Sequence, residues 1–282
     1  MPDGYVLTLA CTDRPGIVHA VTGFLVERGG NVTEAAQFND AATGLFFMRM
    51  RFAAPGTSLE ALRAAFAPGA ERLALRHTLH ADGARMPTVI LVSKLGHCLN
   101  DLLFRWRSGA LPIEVKAVVS NHHDFAHLCG SYGVPFHHVP VDPANKSEAE
   151  QRILGFVESA GAELVVLARY MQVLSDDLCR AFEGRAINIH HSFLPSFKGA
   201  RPYHQAADRG VKVIGATAHY VTAELDEGPI IEQDTARVDH TMDAAKLTSL
   251  GRDVECSVLA RAVLWHAERR ILVDGRKTVV FR

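Results

Sequence analysis

The chain reads as an α/β protein in two modules: a small split β-α-β sheet over residues 1–83, then a doubly wound, mostly parallel sheet over residues 84–282. Three observations predict this. Short, nearly continuous apolar runs at Val89–Val92, Ile113–Val119, Phe136–Val139 and Leu164–Leu167 alternate with amphipathic stretches, the pattern of parallel strands buried on both faces and joined by crossover helices. Ahead of Ala81 the order is instead strand, helix, strand, strand, helix, strand. Between the two patterns, Ala81-Asp82-Gly83-Ala84-Arg85-Met86-Pro87 is a polar, turn-rich joint.

The elements follow in order. Tyr5–Cys11 is apolar and β-rich, and Asp13-Arg14-Pro15-Gly16 is turn chemistry with Pro15 suited to a first helical turn. Ile17, Val21, Phe24 and Leu25 recur at helical spacing until Gly29-Gly30 stops them. Asn31–Asn39 and Gly44–Phe52 form a hairpin, and Ser58 caps a helix through Phe66 with Glu60 in its first turn. Glu71–His80 alternates and closes the small sheet. In the second module the helices are Leu99–Trp106, Asp124–Tyr132 and Glu148–Ser159. Val213–Val221 and Ile230–Val238 are added strands, Asp243–Arg269 a long helix, and Ile271–Phe281 a hairpin turned at Asp274-Gly275.

Composition narrows the function. Of 282 residues 48% are hydrophobic and 22% charged, a globular balance with enough chain for a real core. A net charge of −1 gives no electrostatic reason to expect nucleic acid or an anionic membrane as partner. No run approaches the ~18–20 apolar residues that span a bilayer, and the start lacks a signal pattern. The five cysteines carry no C-x-x-C spacing, so neither a disulfide framework nor a zinc knuckle is expected, and the compartment is a reducing cytoplasm.

The most informative stretch is AINIHHSFLPSFKGARPYHQA, Ala186–Ala206, followed by AELDEGPI, Ala223–Ile230. Strand alternation puts Asn188 and His190 on one face, at the carboxyl end where open α/β sheets bind ligands. Asp226 sits in a turn ahead of Gly228 and Pro229. An amide donor, an imidazole and a carboxylate suffice for acyl transfer: one holds an oxyanion and two handle protons. Pro195, Gly199, Gly228 and Pro229 shape the backbone, and Lys198 is an exposed surface lysine.

The N-I-H-x-S-x-L-P-x-F-x-G run with the later L-D-x-G-P-I resembles the formyltransferase family that handles 10-formyltetrahydrofolate, and the chain looks like a hydrolytic member of it. The resemblance covers essentially the whole chain, since the first ~80 residues look like the amino-acid-binding ACT module, a ferredoxin-like βαββαβ fold. It implies a Rossmann-like formyltransferase domain behind that module. It also implies hydrolysis of 10-formyltetrahydrofolate to formate and tetrahydrofolate, supplying formate for purine synthesis and balancing the one-carbon pool, with no cofactor. Asn188 would hold the oxyanion. His190, biased toward its protonated form by Asp226, would protonate the leaving nitrogen. Asp226 would orient His190 and accept the proton of the attacking water.

Leu167–Leu174, LARYMQVL, resembles the family segment that borders the pterin pocket. Met171, Val173 and Leu174 would supply apolar walls, with backbone of Gln172–Leu174 and Val221–Asp226 reading the ring edge. His191, His219 and Val221 complete the expected substrate-binding set. In the glycinamide ribonucleotide transferases a Gly-rich loop follows the first parallel strand and cradles the acceptor phosphate. Here Leu95, His97 and Cys98 surround the single Gly96, which favours water as acceptor. The alternative is a transferase passing the formyl group to an amine such as glycinamide ribonucleotide. His191 stands where the transferase pattern has proline.

Fifteen histidines raise the question of a metal. His190, His191, His204, His219, His122-His123-Asp124 and His137-His138 lack H-E-x-x-H spacing, and adjacent strand histidines point to opposite faces. No metal is expected. In the front module the TDRPGIV turn and the GGN segment resemble ACT ligand loops, implying an amino-acid effector, glycine or methionine, at Asp13, Gly16 and Asn31, or a module that only oligomerises. A homo-oligomer, dimer or tetramer, is expected. The remaining class is a non-catalytic sensor, against which the intact Asn188, His190 and Asp226 argue.

Overall fold

A computed structural model describes residues 4–194 and 202–282; the expected shaping residues Pro195 and Gly199, and Lys198, lie outside them. Two compact units emerge, one of residues 1–84, 268–274 and 279–282, the other of residues 85–267 and 275–278.

The first unit holds β1 (Gly4–Thr12), α1 (Ile17–Val26), β2 (Asn31–Asp40), β3 (Leu45–Ala53), α2 (Leu59–Arg72) and β4 (Arg76–Ala81). Its sheet runs β2-β3-β1-β4, with β2, β1 and β4 pairing antiparallel to their neighbours. One face buries Leu7, Leu9, Met48 and Met50 against Ile17, Val21 and Leu25 of α1 and Leu62 and Phe66 of α2. The helix α2 is longer than the sequence implies. Pro68 should end it, yet it continues to Arg72, because Ala70, two residues on, is buried in the same core and outweighs the one lost backbone hydrogen bond. Glu71 and Arg72 are therefore helical, and β4 starts at Arg76 rather than Glu71. On the other face Ala10 and Phe47 pack with Phe281, so the last residues of the chain belong to this unit's core.

The second unit runs β5 (Met86–Val92), α3 (His97–Arg107), β6 (Ile113–Ser120), α4 (Ala126–Tyr132), β7 (Phe136–His138), α5 (Lys146–Ser159), β8 (Leu164–Leu167), α6 (Asp176–Ala181), β9 (Ala186–His190), α7 (Pro202–Arg209), β10 (Val213–Tyr220), β11 (Ile230–Arg237) and α8 (Ala244–Ala267). The hairpin β12 (Ile271–Asp274) and β13 (Lys277–Val280) ends the chain. Seven strands form one sheet in the order β11-β10-β9-β8-β5-β6-β7. The five from β5 to β9 are parallel to their neighbours, while β10 and β11 add antiparallel pairs. The chain starts at β5, winds out to β7, then returns to β8 on the other side. That reversal opens a crevice at the carboxyl ends of β5 and β8. Sequence reading missed α6 and α7, both short; Ser175 caps α6 by accepting from Leu178 N.

Candidate active site

A cleft of about 240 Å³ lies where the segments after β8 and β10 face the end of β9. Val165, Val166 and Leu167 pair with Ala186, Ile187 and Asn188, which fixes the segment after β8 beside Asn188. Along β9, Ile187 and Ile189 are buried on one face and Asn188 and His190 are half-buried on the other, as alternation requires.

From the other side β10 pairs antiparallel with β9, setting His219 opposite Asn188. The loop after β10 folds back tightly enough that Tyr220 N bonds Pro229 O at 2.9 Å. A Cβ on Gly228 would overlap Tyr220 O, so only glycine allows that return. Asp226, in the left-handed region at φ 59°, is thereby carried into the cleft. Its Oδ1 lies 3.2 Å from His190 Nδ1 and 3.6 Å from His219 Nε2. The pairing, with His190 foremost, holds its carboxyl well below the usual carboxylate range. His190 Nε2 is buried and has no hydrogen-bond partner among the described residues, so it is open to a group entering the cleft.

All the expected catalytic and substrate-binding residues come together here: Asn188, His190, Asp226, Met171, Gln172, Val173, Leu174, His191, His219 and Val221 line the one cleft. Met171 and Val173 are each 57% exposed, apolar side chains left facing solvent rather than core. The Met171 backbone is fixed by Ser93 Oγ, which accepts from Met171 N at 2.9 Å and donates to Asn121 Oδ1 at 2.7 Å. His219 is 3% exposed, a buried support under Asn188 more than a wall.

The expectation that His190 and His191 diverge is corrected. β9 ends at His190, so alternation stops there, and the two rings stack with centroids 4.9 Å apart and planes 26° apart. Ser192 and Leu194 are then pinned by Thr217, whose Oγ1 donates to Ser192 O and accepts from Leu194 N.

Sequence reading missed Arg169 and Glu255. Arg169 lines the cleft with a left-handed backbone at φ 64°, and no local pattern marks such a residue. Glu255 is 1% exposed within the apolar stripe of α8; an acid in a buried helical face is the signal that was available. Gly251, one turn earlier, leaves room for the Tyr203 ring. Tyr203 OH donates to Glu255 at 2.7 Å, and His97 Nε2 lies 2.7 Å from the other oxygen. Burial opposes ionisation of Glu255, but His97, Arg169 and Tyr203 prevail and lower its pKa. His97, Cys98 and Glu255 are the group among the described residues with metal-ligand spacing, their donor atoms within 4.8 Å of one another. Arg169 Nε at 3.4 Å from Glu255 opposes a cation there. Beside them the Phe125 ring occupies the place a Cβ on Gly96 would take.

In the first unit Gly16 takes φ 94° at the start of α1, and Asp13 Oδ2 accepts from Asn39 Nδ2 at 2.8 Å. Asp13 follows the Thr12 end of β1, whereas Asn31 shares a row with Ala53 and Gly4 at the opposite end. At about 3.3 Å per residue the two ends are about 26 Å apart. Within one chain, hairpin register therefore separates Asn31 from Asp13 and Gly16.

A cleft at the switch point of a doubly wound sheet, holding an amide, an imidazole–carboxylate pair and apolar walls, defines an acyl-group enzyme. The formyl transferase family model matches residues 86–263, and the chain belongs to that family. Its full-length relatives are more particular. It is 52% identical to formyltetrahydrofolate deformylase of Corynebacterium sp. (strain P-1), covering 99% of this chain and 98% of that one. The crystal structure of formyltetrahydrofolate deformylase from Burkholderia mallei matches with a TM-score of 0.96 at 51% identity, covering all of both chains. Glycinamide ribonucleotide transformylase 1 of Symbiobacterium toebii matches less, with a TM-score of 0.66 at 31% identity over 73% of this chain. No helix among the described residues is long and apolar enough to cross a membrane.

Proposed function

We propose that this chain hydrolyses 10-formyltetrahydrofolate to formate and tetrahydrofolate, without a cofactor. The observation that carries the reading is His190, clamped at Nδ1 by Asp226 and buried without a partner at Nε2, beside the Asn188 amide in a half-open apolar cleft. The pterin lies along Met171–Leu174 and the backbone of Val221–Asp226. Asn188 donates to the formyl oxygen as it gains charge, and His190 protonates the departing nitrogen. Asp226 holds His190 in orientation through Nδ1. Full-length similarity to deformylases, against partial similarity to a transformylase, supports water as acceptor. The reaction supplies formate for purine synthesis and returns the folate carrier in the cytoplasm.

The front unit acts as an ACT module that assembles the chain into a dimer or tetramer and binds glycine or methionine. Since Asp13 and Asn31 stand at opposite ends of one sheet, an effector touched by both needs a second copy of the chain. The decisive assay measures formate release from 10-formyltetrahydrofolate with and without glycinamide ribonucleotide. Formate in both arms is expected, whereas formylated amine as the main product overturns the hydrolytic reading. A thermal-shift series with glycine and methionine tests the effector; no shift with either leaves assembly as the unit's role.

A further inference from the structure

Hydrolysis frees a proton from the attacking water, and Asp226 is badly placed to take it. Its Oδ1 already faces His190 Nδ1 at 3.2 Å, and that pairing makes it a weak base. His191 differs. It lines the same cleft and stacks on His190 with ring centroids 4.9 Å apart. Arg169, 7% exposed, shares the cleft wall. Its Nε stands 3.4 Å from Glu255 Oε2, an ionic contact without hydrogen-bond alignment. Glu255 is itself held by His97 and Tyr203, each at 2.7 Å. The proton transfers assigned to Asn188, His190 and Asp226 use none of these groups.

We propose that His191 is a further catalytic residue of this cleft, taking the proton shed by the attacking water, and that Arg169 anchored on Glu255 is the pair that positions it. This rests on the deformylation reading. As the water oxygen bonds to the formyl carbon, one O–H bond breaks and its proton moves to a His191 ring nitrogen. The carbonyl electron pair moves onto the oxygen held by Asn188. On collapse the C–N bond breaks, its electron pair leaves with nitrogen, and that nitrogen takes the proton of His190. The formic acid so formed ionises and restores His190, while His191 releases its own proton to solvent; the net products are formate, one proton and tetrahydrofolate.

The charges facing His191 give the idea a signature. Burial first, then Arg169 and His190, push its pKa down to about 4, against the opposing pull of Glu255 and Asp226. The ring is thus neutral, with a lone pair to offer, at neutral pH. Removing Arg169 takes away a depressing charge and raises the pH at which His191 protonates; removing Glu255 lowers it.

The test is the kcat–pH profile of the full chain for R169Q, E255Q and H191N, with folding checked by circular dichroism. H191N is expected to lose ~10²-fold or more in kcat with KM within a factor of about three. R169Q should move the acidic limb to higher pH and E255Q to lower pH. A merely structural role for the pair depresses activity at every pH and moves neither limb, and that result overturns the positioning claim. H191N with near wild-type kcat overturns the catalytic one. Should E255Q fail to fold, R169Q and H191N still decide between these outcomes. Absence of formate release from the wild-type chain is a separate result, and it removes the deformylation reading itself.

Discussion

His219 Nε2 stands 3.2 Å from Asn188 Nδ2 across the β9–β10 ladder. Its other nitrogen, Nδ1, lies 2.9 Å from the Tyr220 carbonyl oxygen. A carbonyl only accepts, so the ring proton belongs on Nδ1, and Nε2 keeps a lone pair for one Asn188 amide hydrogen. The tautomer of a buried ring thus decides which way the Asn188 amide points, and the second amide hydrogen is left for another acceptor.

Truncating Asn188 to alanine should lower kcat by ~10²–10³ with little change in KM, the usual loss for one oxyanion donor. His219→Phe keeps the ring volume and removes the acceptor, so kcat should fall by about tenfold or more through misorientation of Asn188. Formate release measured under saturating folate checks both. An unchanged kcat in H219F would show that the amide needs no such support.

Asp226→Asn should abolish turnover while folate binding, followed by protein fluorescence quenching, persists. The same variant has a stability signature. The folded-state pKa of Asp226 is depressed, so its pairing stabilises the fold above the unfolded carboxylate pKa and is lost as pH falls through the folded one. Wild type should therefore lose stability in acid more steeply than D226N. Parallel urea midpoints against pH in the two proteins would count against that pairing.

Gly228→Ala places a methyl against the Tyr220 carbonyl and 3.3 Å from His219 Nδ1. Either the loop shifts, taking Asp226 out of reach of His190, or Tyr220–His219 shifts beneath Asn188. Both routes predict a large kcat loss, with a destabilisation of about 1–3 kcal/mol from overpacking. A variant with full activity would mean that the loop tolerates a wider turn.

In the front unit, Arg49 is 2% exposed and pairs with Glu34 Oε1 at 2.6 Å. Glu34→Gln removes the nearer countercharge and should cost about 2 kcal/mol, below the ~3–5 kcal/mol of a fully buried pair because Glu34 is itself one-third exposed. Arg49→Met deletes the buried cation instead and leaves Glu34 with Arg51 and Arg270, so it should cost less. Denaturant melts of the two variants provide the comparison.

How far the sequence could be read differs by element. Strands such as Leu164–Leu167 were legible because an apolar run leaves no other solution, and Asn188 and His190 because period-two alternation is a local rule. The helix read as ending at Phe66 runs on to Arg72, since Ala70, two residues past Pro68, is buried in the core. His191 misled because the strand ended one residue earlier than alternation supposed. Arg169 and Glu255 stayed hidden: each is an ordinary charged residue until the other is placed 3.4 Å away.

The order of residues by itself determined the alternation of strands and helices, the buried faces, and the amide and imidazole side by side at one strand end, since each follows from spacing along a few residues. Only the tertiary structure decided that Asp226 reaches His190, that His219 rather than substrate takes one Asn188 hydrogen, that Asn31 stands at the far end of the sheet from Asp13, and that Glu255 answers Arg169. The reason is distance. Charges and hydrogen bonds act over a few ångströms in space, whatever their separation in the chain, and pairing register and loop closure choose which partners come within that reach.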